Sequence, residues 1–111
     1  MTFYAVLRLV PDAIADERLN VGVVVFRDGV VRWRFLSVFR YPGISEGMVA
    51  AVREFMADPP MEEDEVRRIC GHWLNCIQLS EPRASMEDID VLLDDVVVQY
   101  LDRGILATAN R

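Results

Sequence analysis

The sequence predicts an α+β domain: a two-layer sandwich in the order β-β-β-α-α-β-α, with an antiparallel sheet and helices on one face. Three observations carry that expectation. The first 39 residues are dense in aromatic and β-branched residues with a period of two. Asp28-Gly29 sits between two such runs and is the strongest short hairpin signal in the chain, because a type I′ turn needs positive φ at both central residues. The remainder places apolar residues at helical spacing between capping residues and prolines.

The first strand covers Phe3 to Val10, with Phe3, Ala5, Leu7 and Leu9 on one face and Tyr4, Val6, Arg8 and Val10 on the other. Pro11-Asp12 ends it, since proline cannot donate to a ladder and Asp supports a turn. A polar loop then leads to a second strand from about Leu19 to Arg27. Both of its alternating faces, Leu19, Val21, Val23, Val25 and Asn20, Gly22, Val24, Phe26, are largely apolar, which suits a central strand covered on both sides. The third strand returns from Val30 to Phe39, with Val31, Trp33, Phe35 and Phe39 opposite Arg32, Arg34, Leu36 and Val38.

Tyr41-Pro42-Gly43 breaks the sheet, and Ser45 caps a helix that begins at Glu46 and presents Met48, Val52, Phe55 and Met56 as one stripe. Asp58-Pro59-Pro60 closes it. A second helix follows, with carboxylates at Glu62, Glu63 and Asp64 to match the helix dipole and apolar spacing from Val66 through Trp73, Leu74 and Ile77. The segment from Asn75 to Leu79 is ambiguous, and a short fourth strand near Cys76 to Ser80 is favoured before Pro82. Ser85 and Asp88 approximate a capping box for the third helix, whose stripe is Ile89, Leu92, Leu93, Val96, Val97, Tyr100 and Leu101. Gly104 is placed as its C-cap, so residues 1–104 form one domain and 105–111 a short tail.

The chain of 111 residues is 52% hydrophobic and 27% charged, which fits one globular core. No run approaches the roughly 18 apolar residues of a membrane span, and no secretory signal opens the chain, so a cytoplasmic location is expected. All 12 basic residues are arginine. The net charge of −6 conceals an asymmetry: residues 1–40 hold six arginines against four acids, and residues 41–111 six against fourteen. That balance disfavours nonspecific nucleic-acid binding by the whole molecule and leaves a local basic face open.

Cys70, His72 and Cys76 are three soft ligands without the fourth that a structural zinc site uses, and no orienting group marks a Cys/His nucleophile. Neither a metal nor a cofactor is expected. The clusters Glu62-Glu63-Asp64-Glu65 and Asp94-Asp95 read as solvated helix faces. Asn20 and Gly22 each cost a strand propensity, either for a structural reason or to form a ligand or partner site with Glu17. Arg8, Arg32 and Arg34 become neighbours if the first and third strands flank the second. They then form either a solvated face or an anionic docking surface.

Two blocks resemble a small bacterial and phage family catalogued as domain of unknown function 3037. The first is Tyr4-Ala5-Val6-Leu7-Arg8-Leu9-Val10-Pro11-Asp12 with Glu17-Arg18-Leu19-Asn20-Val21-Gly22-Val23-Val24-Val25-Phe26; the second is Trp73 to Arg83. The resemblance singles out Arg8, Glu17, Asn20, Gly22, Gln78 and Arg83 as motif positions and implies no established activity. It also implies a neighbourhood with HipA-like kinases of toxin–antitoxin systems. The expected function is a non-enzymatic interaction or accessory protein that docks a protein partner, such as a HipA-like kinase, in a toxin–antitoxin or phage–host conflict setting. The alternatives are a small enzyme acting on a nucleotide or RNA, with Glu17 as acid/base and Arg8, Arg32 or Arg34 on phosphate, and a nucleic-acid-binding module.

Overall fold

The computed structural model describes residues 1–12, 17–36, 44–74 and 76–102. Strands β1 (Thr2–Asp12), β2 (Glu17–Arg27) and β3 (Val30–Phe35) form an antiparallel meander, followed by helices α1 (Glu46–Ala57) and α2 (Glu63–Ile69). Three short strands come next, β4 (Trp73–Leu74), β5 (Ile77–Leu79) and β6 (Arg83–Ser85). Helix α3 (Ile89–Val96) then runs on as a π-helical segment, Val97–Asp102. Among the described residues the sheet has six strands in the order β3-β2-β1-β5-β4, and β6 also pairs with β1. The α+β class, the antiparallel sheet and the approximate order of helices follow the sequence expectation. The expected tail at 105–111 and the Gly104 cap lie outside the described residues.

The layering differs from the expected two layers. Ala5, Leu7 and Leu9 pack with Val52 of α1 and Val66 of α2, whereas Val6 packs with Leu92, Leu93 and Val96 of α3. Adjacent strand residues point to opposite faces, so α1 and α2 cover one face of the sheet and α3 covers the other. The cause is legible in β1 and β2, which are apolar on both sides and need cover on both.

Alternation along β2 is interrupted by a bulge. Leu7 pairs with Gly22 but Arg8 pairs with Asn20, which leaves Val21 as the extra residue. The parity of the strand flips there. Leu19 and Val21 join Val24 and Phe26 on the α1/α2 face, while Val23 and Val25 face α3. A strict period of two put Leu19 and Val21 on the same face as Val23 and Val25, and the bulge corrects this.

The Asp28-Gly29 turn has φ of 49° and 82°, both positive as a type I′ turn requires. It is fastened to α2, because the Gly29 N–H donates to Glu63 Oε1 at 3.0 Å and Glu63 pairs with Arg67 at 3.1 Å. The Arg67 guanidinium lies 4.6 Å from the Phe3 ring centre and 4.9 Å from that of Phe26, a cation–π clasp over the hairpin.

Helix α1 starts at Glu46 with Ser45 Oγ accepting from the Met48 N–H at 3.2 Å, as the sequence indicates. Helix α2 is shorter than its apolar spacing suggested. Gly71, at φ 77°, turns the chain after Cys70, and Trp73-Leu74 and Ile77–Leu79 pair as β4 and β5 instead of extending the helix. The fourth strand near Cys76 to Ser80 is therefore present as β5. The cap of α3 is Asp88, and Ser85 belongs to β6, its Oγ accepting from the Glu87 N–H at 3.1 Å.

Candidate anion-binding site

The site originates in an interruption of the ladder along one edge of β1. That edge pairs with β6 over Thr2–Tyr4 and with β5 over Leu7–Leu9. At Val6, between the two, Ser80 takes over: the Val6 N–H donates to Ser80 Oγ at 2.9 Å and the Ser80 N–H donates to the Val6 carbonyl at 2.9 Å. A hydroxyl thus stands in for a strand carbonyl and keeps the buried N–H satisfied. At this interruption a cavity of about 300 Å³ opens, lined by Arg8, Arg18, Gln78 and Arg83 together with Gly71, Ser80 and Glu81.

Register explains why these side chains meet. Arg8 of β1 stands opposite Gln78 of β5 on one side and Asn20 of β2 on the other, and Tyr4 stands opposite Arg83 of β6. Directly opposed residues share a face, so Arg8, Gln78, Arg83, Asn20 and Tyr4 all project on the α3 side of the sheet. The π-helical segment brings Tyr100 to the same place. Its carbonyl accepts from Asn20 Nδ2 at 3.1 Å, and its hydroxyl lies 3.3 Å from that of Tyr4.

The electrostatics around Arg8 are those of a cation among like charges. The Arg8 pKa is lowered, first by partial burial and then by the positive charges of Arg18 and Arg83, with Tyr100 acting in the opposite sense. Among the described residues no carboxylate pairs with Arg8 and no hydrogen bond holds its guanidinium. The Tyr100 hydroxyl is pushed up, chiefly by burial and by its bond to Tyr4. Glu81, the acid on the rim, is turned toward Gly71, where an added Cβ would collide with its carboxylate. An oxyanion seated here would meet guanidinium and amide donors suited to a carboxylate or phosphate.

Of the residues singled out in the sequence, Arg8, Gln78 and Arg83 come together. Asn20 adjoins them through its bond to Tyr100 and is a positioning residue. Gly22 is explained by packing: a Cβ there would stand 2.7 Å from Phe35 Cδ1. Glu17 is paired with Asp12 through its backbone, and its side chain lies outside the described residues.

Arg32 and Arg34 are not neighbours of Arg8. They sit on edge strand β3 opposite Val25 and Val23, which α3 covers. Arg32 pairs with Asp90 of α3 at 3.4 Å, and Arg34 donates to the Trp33 carbonyl at 2.9 Å. The expected three-arginine face is therefore divided. Sequence reasoning did not select Arg18, Ser80 or Tyr100. Arg18 and Ser80 lie within the two motif blocks, but the roles of Ser80 and Tyr100 depend on the ladder gap and the π-helical segment, which leave no mark in the sequence.

Cys70 and Cys76 are free thiols, and among the described residues no three His, Cys, Asp or Glu side chains gather as a metal site would require. Burial pushes the Cys70 thiol up to about 11, with Glu81 adding to the shift and Arg67 opposing it. Such a thiol is not a nucleophile at neutral pH. No described helix is long and apolar enough to cross a membrane.

No curated protein and no solved structure matches the chain. The matched family segment holds Arg8, Glu17, Asn20, Gly22, Arg32 and Arg34, while Gln78 and Arg83 lie beyond it. Residues 4–38, the block that runs from β1 through β3, match the model of the family described as a protein of unknown function (DUF3037), the family that the opening block resembles.

Proposed function

We propose that this chain is a non-enzymatic interaction protein that docks a partner by holding one of its anionic groups between Arg8, Arg18, Gln78 and Arg83. The observation that carries this reading is Arg8 itself. It is half-buried beside two like charges and has no carboxylate partner among the described residues. A partner's phosphate or carboxylate supplies the missing charge, and burial strengthens the resulting hydrogen bonds. A phosphorylated partner such as a HipA-like kinase in a cytoplasmic toxin–antitoxin or phage–host setting fits that chemistry. Nucleic acid is the second source of phosphate, and the net charge of −6 weighs against it.

The test is a pull-down from the native host with the wild-type chain and with Arg8→Gln and Arg83→Gln, each with and without nuclease. The reading expects one near-stoichiometric protein that survives nuclease, is lost from both variants and is displaced by inorganic phosphate. Loss on nuclease treatment transfers the site to nucleic acid, and equal capture by wild type and variants refutes the site.

A further inference from the structure

The opposite face of the sheet carries a second, chemically different groove. It runs between α1, α2 and the β4–β5 hairpin and has a volume of about 520 Å³. Besides Pro60, its apolar lining comes from Ala51, Phe55, Ile69, Leu74 and Ile77. Ile77 is buried, and the other four are half-buried, so each leaves part of its apolar surface in the groove. An open apolar trough between two helices is the form that accepts the apolar stripe of a third helix.

The charges around it are one-sided. Glu54, Asp58 and Glu65 line the groove, and no arginine does. Glu65 has only a 4.0 Å approach from Arg68, and Glu54 and Asp58 have no ion pair among the described residues. Two of these carboxylates stand at the C-terminal end of α1, where the helix dipole is already negative and the last turn holds no basic residue. Carboxylates are disfavoured there unless a cation compensates them, and among the described residues none lines the groove to do so.

We infer that this groove is a docking site for a basic amphipathic helix of a partner protein. Its apolar stripe would lie on Phe55, Ile69 and Leu74, and its arginine or lysine side chains would reach Glu54, Asp58 and Glu65. The charge complementarity excludes an anionic segment, and the site is independent of the arginine cavity on the other face of the sheet.

The probe is a synthetic helix of about 18 residues with leucines at i, i+3, i+4 and i+7 flanked by arginines, alongside the same peptide with glutamate in place of arginine. Binding is read from backbone amide shifts of the full chain. The arginine peptide is expected to shift residues around Ala51, Phe55, Ile69 and Leu74 saturably, and the glutamate peptide is not. The exposed-rim variant Glu54→Gln/Asp58→Asn/Glu65→Gln should bind roughly tenfold more weakly at low salt, while Asp94→Asn/Asp95→Asn binds as wild type does. Unchanged melting of both variants establishes that each is folded. Equal binding of the two peptides, shifts centred elsewhere, no saturable binding, or a dimer of this chain that already fills the groove would each overturn the proposal.

Discussion

The Phe35 ring lies across the backbone of Gly22, its Cδ1 only 2.7 Å from where a Cβ would stand, with the Arg34 carbonyl at 3.3 Å from the same point. The ring cannot yield freely, because it stacks on Trp33 at 5.4 Å and meets Phe55 edge-on at 6.4 Å. Glycine in this strand is thus required by close approach, since its φ is not in the left-handed region. Gly22→Ala should lower stability by about 1–3 kcal/mol in urea denaturation. In a Phe35→Ala background the same change should cost much less, a coupling that a double-mutant cycle reads directly.

Asn20 ties the bulged end of β2 to the π-helical segment through its bond to the Tyr100 carbonyl. Asn20→Leu removes the donor and leaves a partly buried carbonyl unmet, so a loss of about 1–3 kcal/mol is expected. Amide exchange should accelerate across Val97–Asp102 more than across β1 or β2. Uniform acceleration would show that the bond does not hold that segment in particular.

Ser80→Ala should cost about 1–2 kcal/mol, because the Val6 N–H loses the hydroxyl that replaces a ladder carbonyl. The Val6 amide is then expected to exchange faster than its neighbours Ala5 and Leu7. An unchanged Val6 amide would contradict the assigned role of the hydroxyl.

The Cys70 thiol, raised from 9.0 to about 11 by burial, stays protonated through neutral pH. Because the folded value lies above the unfolded one, its contribution to stability is fully present below about pH 9 and is lost as pH climbs toward about 11. At pH 8, iodoacetamide should modify Cys76, which is half-exposed, well before Cys70, as peptide mass spectrometry can read.

How far the sequence carried the fold is visible in particular residues. The Asp28-Gly29 turn, the Ser45 cap and the stripe of α3 are local signals, and local chemistry decides them. The bulge at Val21 is not local. It exists because Arg8 pairs with Asn20 while Leu7 pairs with Gly22, a register that strict alternation cannot anticipate. Trp73, Leu74 and Ile77 fit a helical spacing, yet Gly71 diverts them into a hairpin, and tertiary pairing overrides propensity there. The candidate site was half legible. Arg8, Gln78 and Arg83 belonged to recognisable blocks, but only sheet topology brings β5 and β6 to the same edge of β1. Arg32 and Arg34 looked equivalent to Arg8 until α3 covered the sheet between them.

The central claim is that Arg8 is held for an anion and contributes nothing to the stability of the empty fold. Its environment, partial burial beside Arg18 and Arg83, disfavours its charge. Arg8→Met should therefore leave stability unchanged or raise it slightly while abolishing anion binding, the trade-off expected of a functional residue. The most direct measurement is a titration of the wild-type chain with inorganic phosphate at constant ionic strength, following the arginine Nε–H and Gln78 amide signals by NMR. Saturable shifts of Arg8, Arg83 and Gln78, with Arg32, Arg34 and Arg53 unmoved and all response absent from Arg8→Met, are the predicted result. Equal, unsaturating shifts across every arginine, or an Arg8→Met chain that is clearly less stable and still binds, would contradict the account.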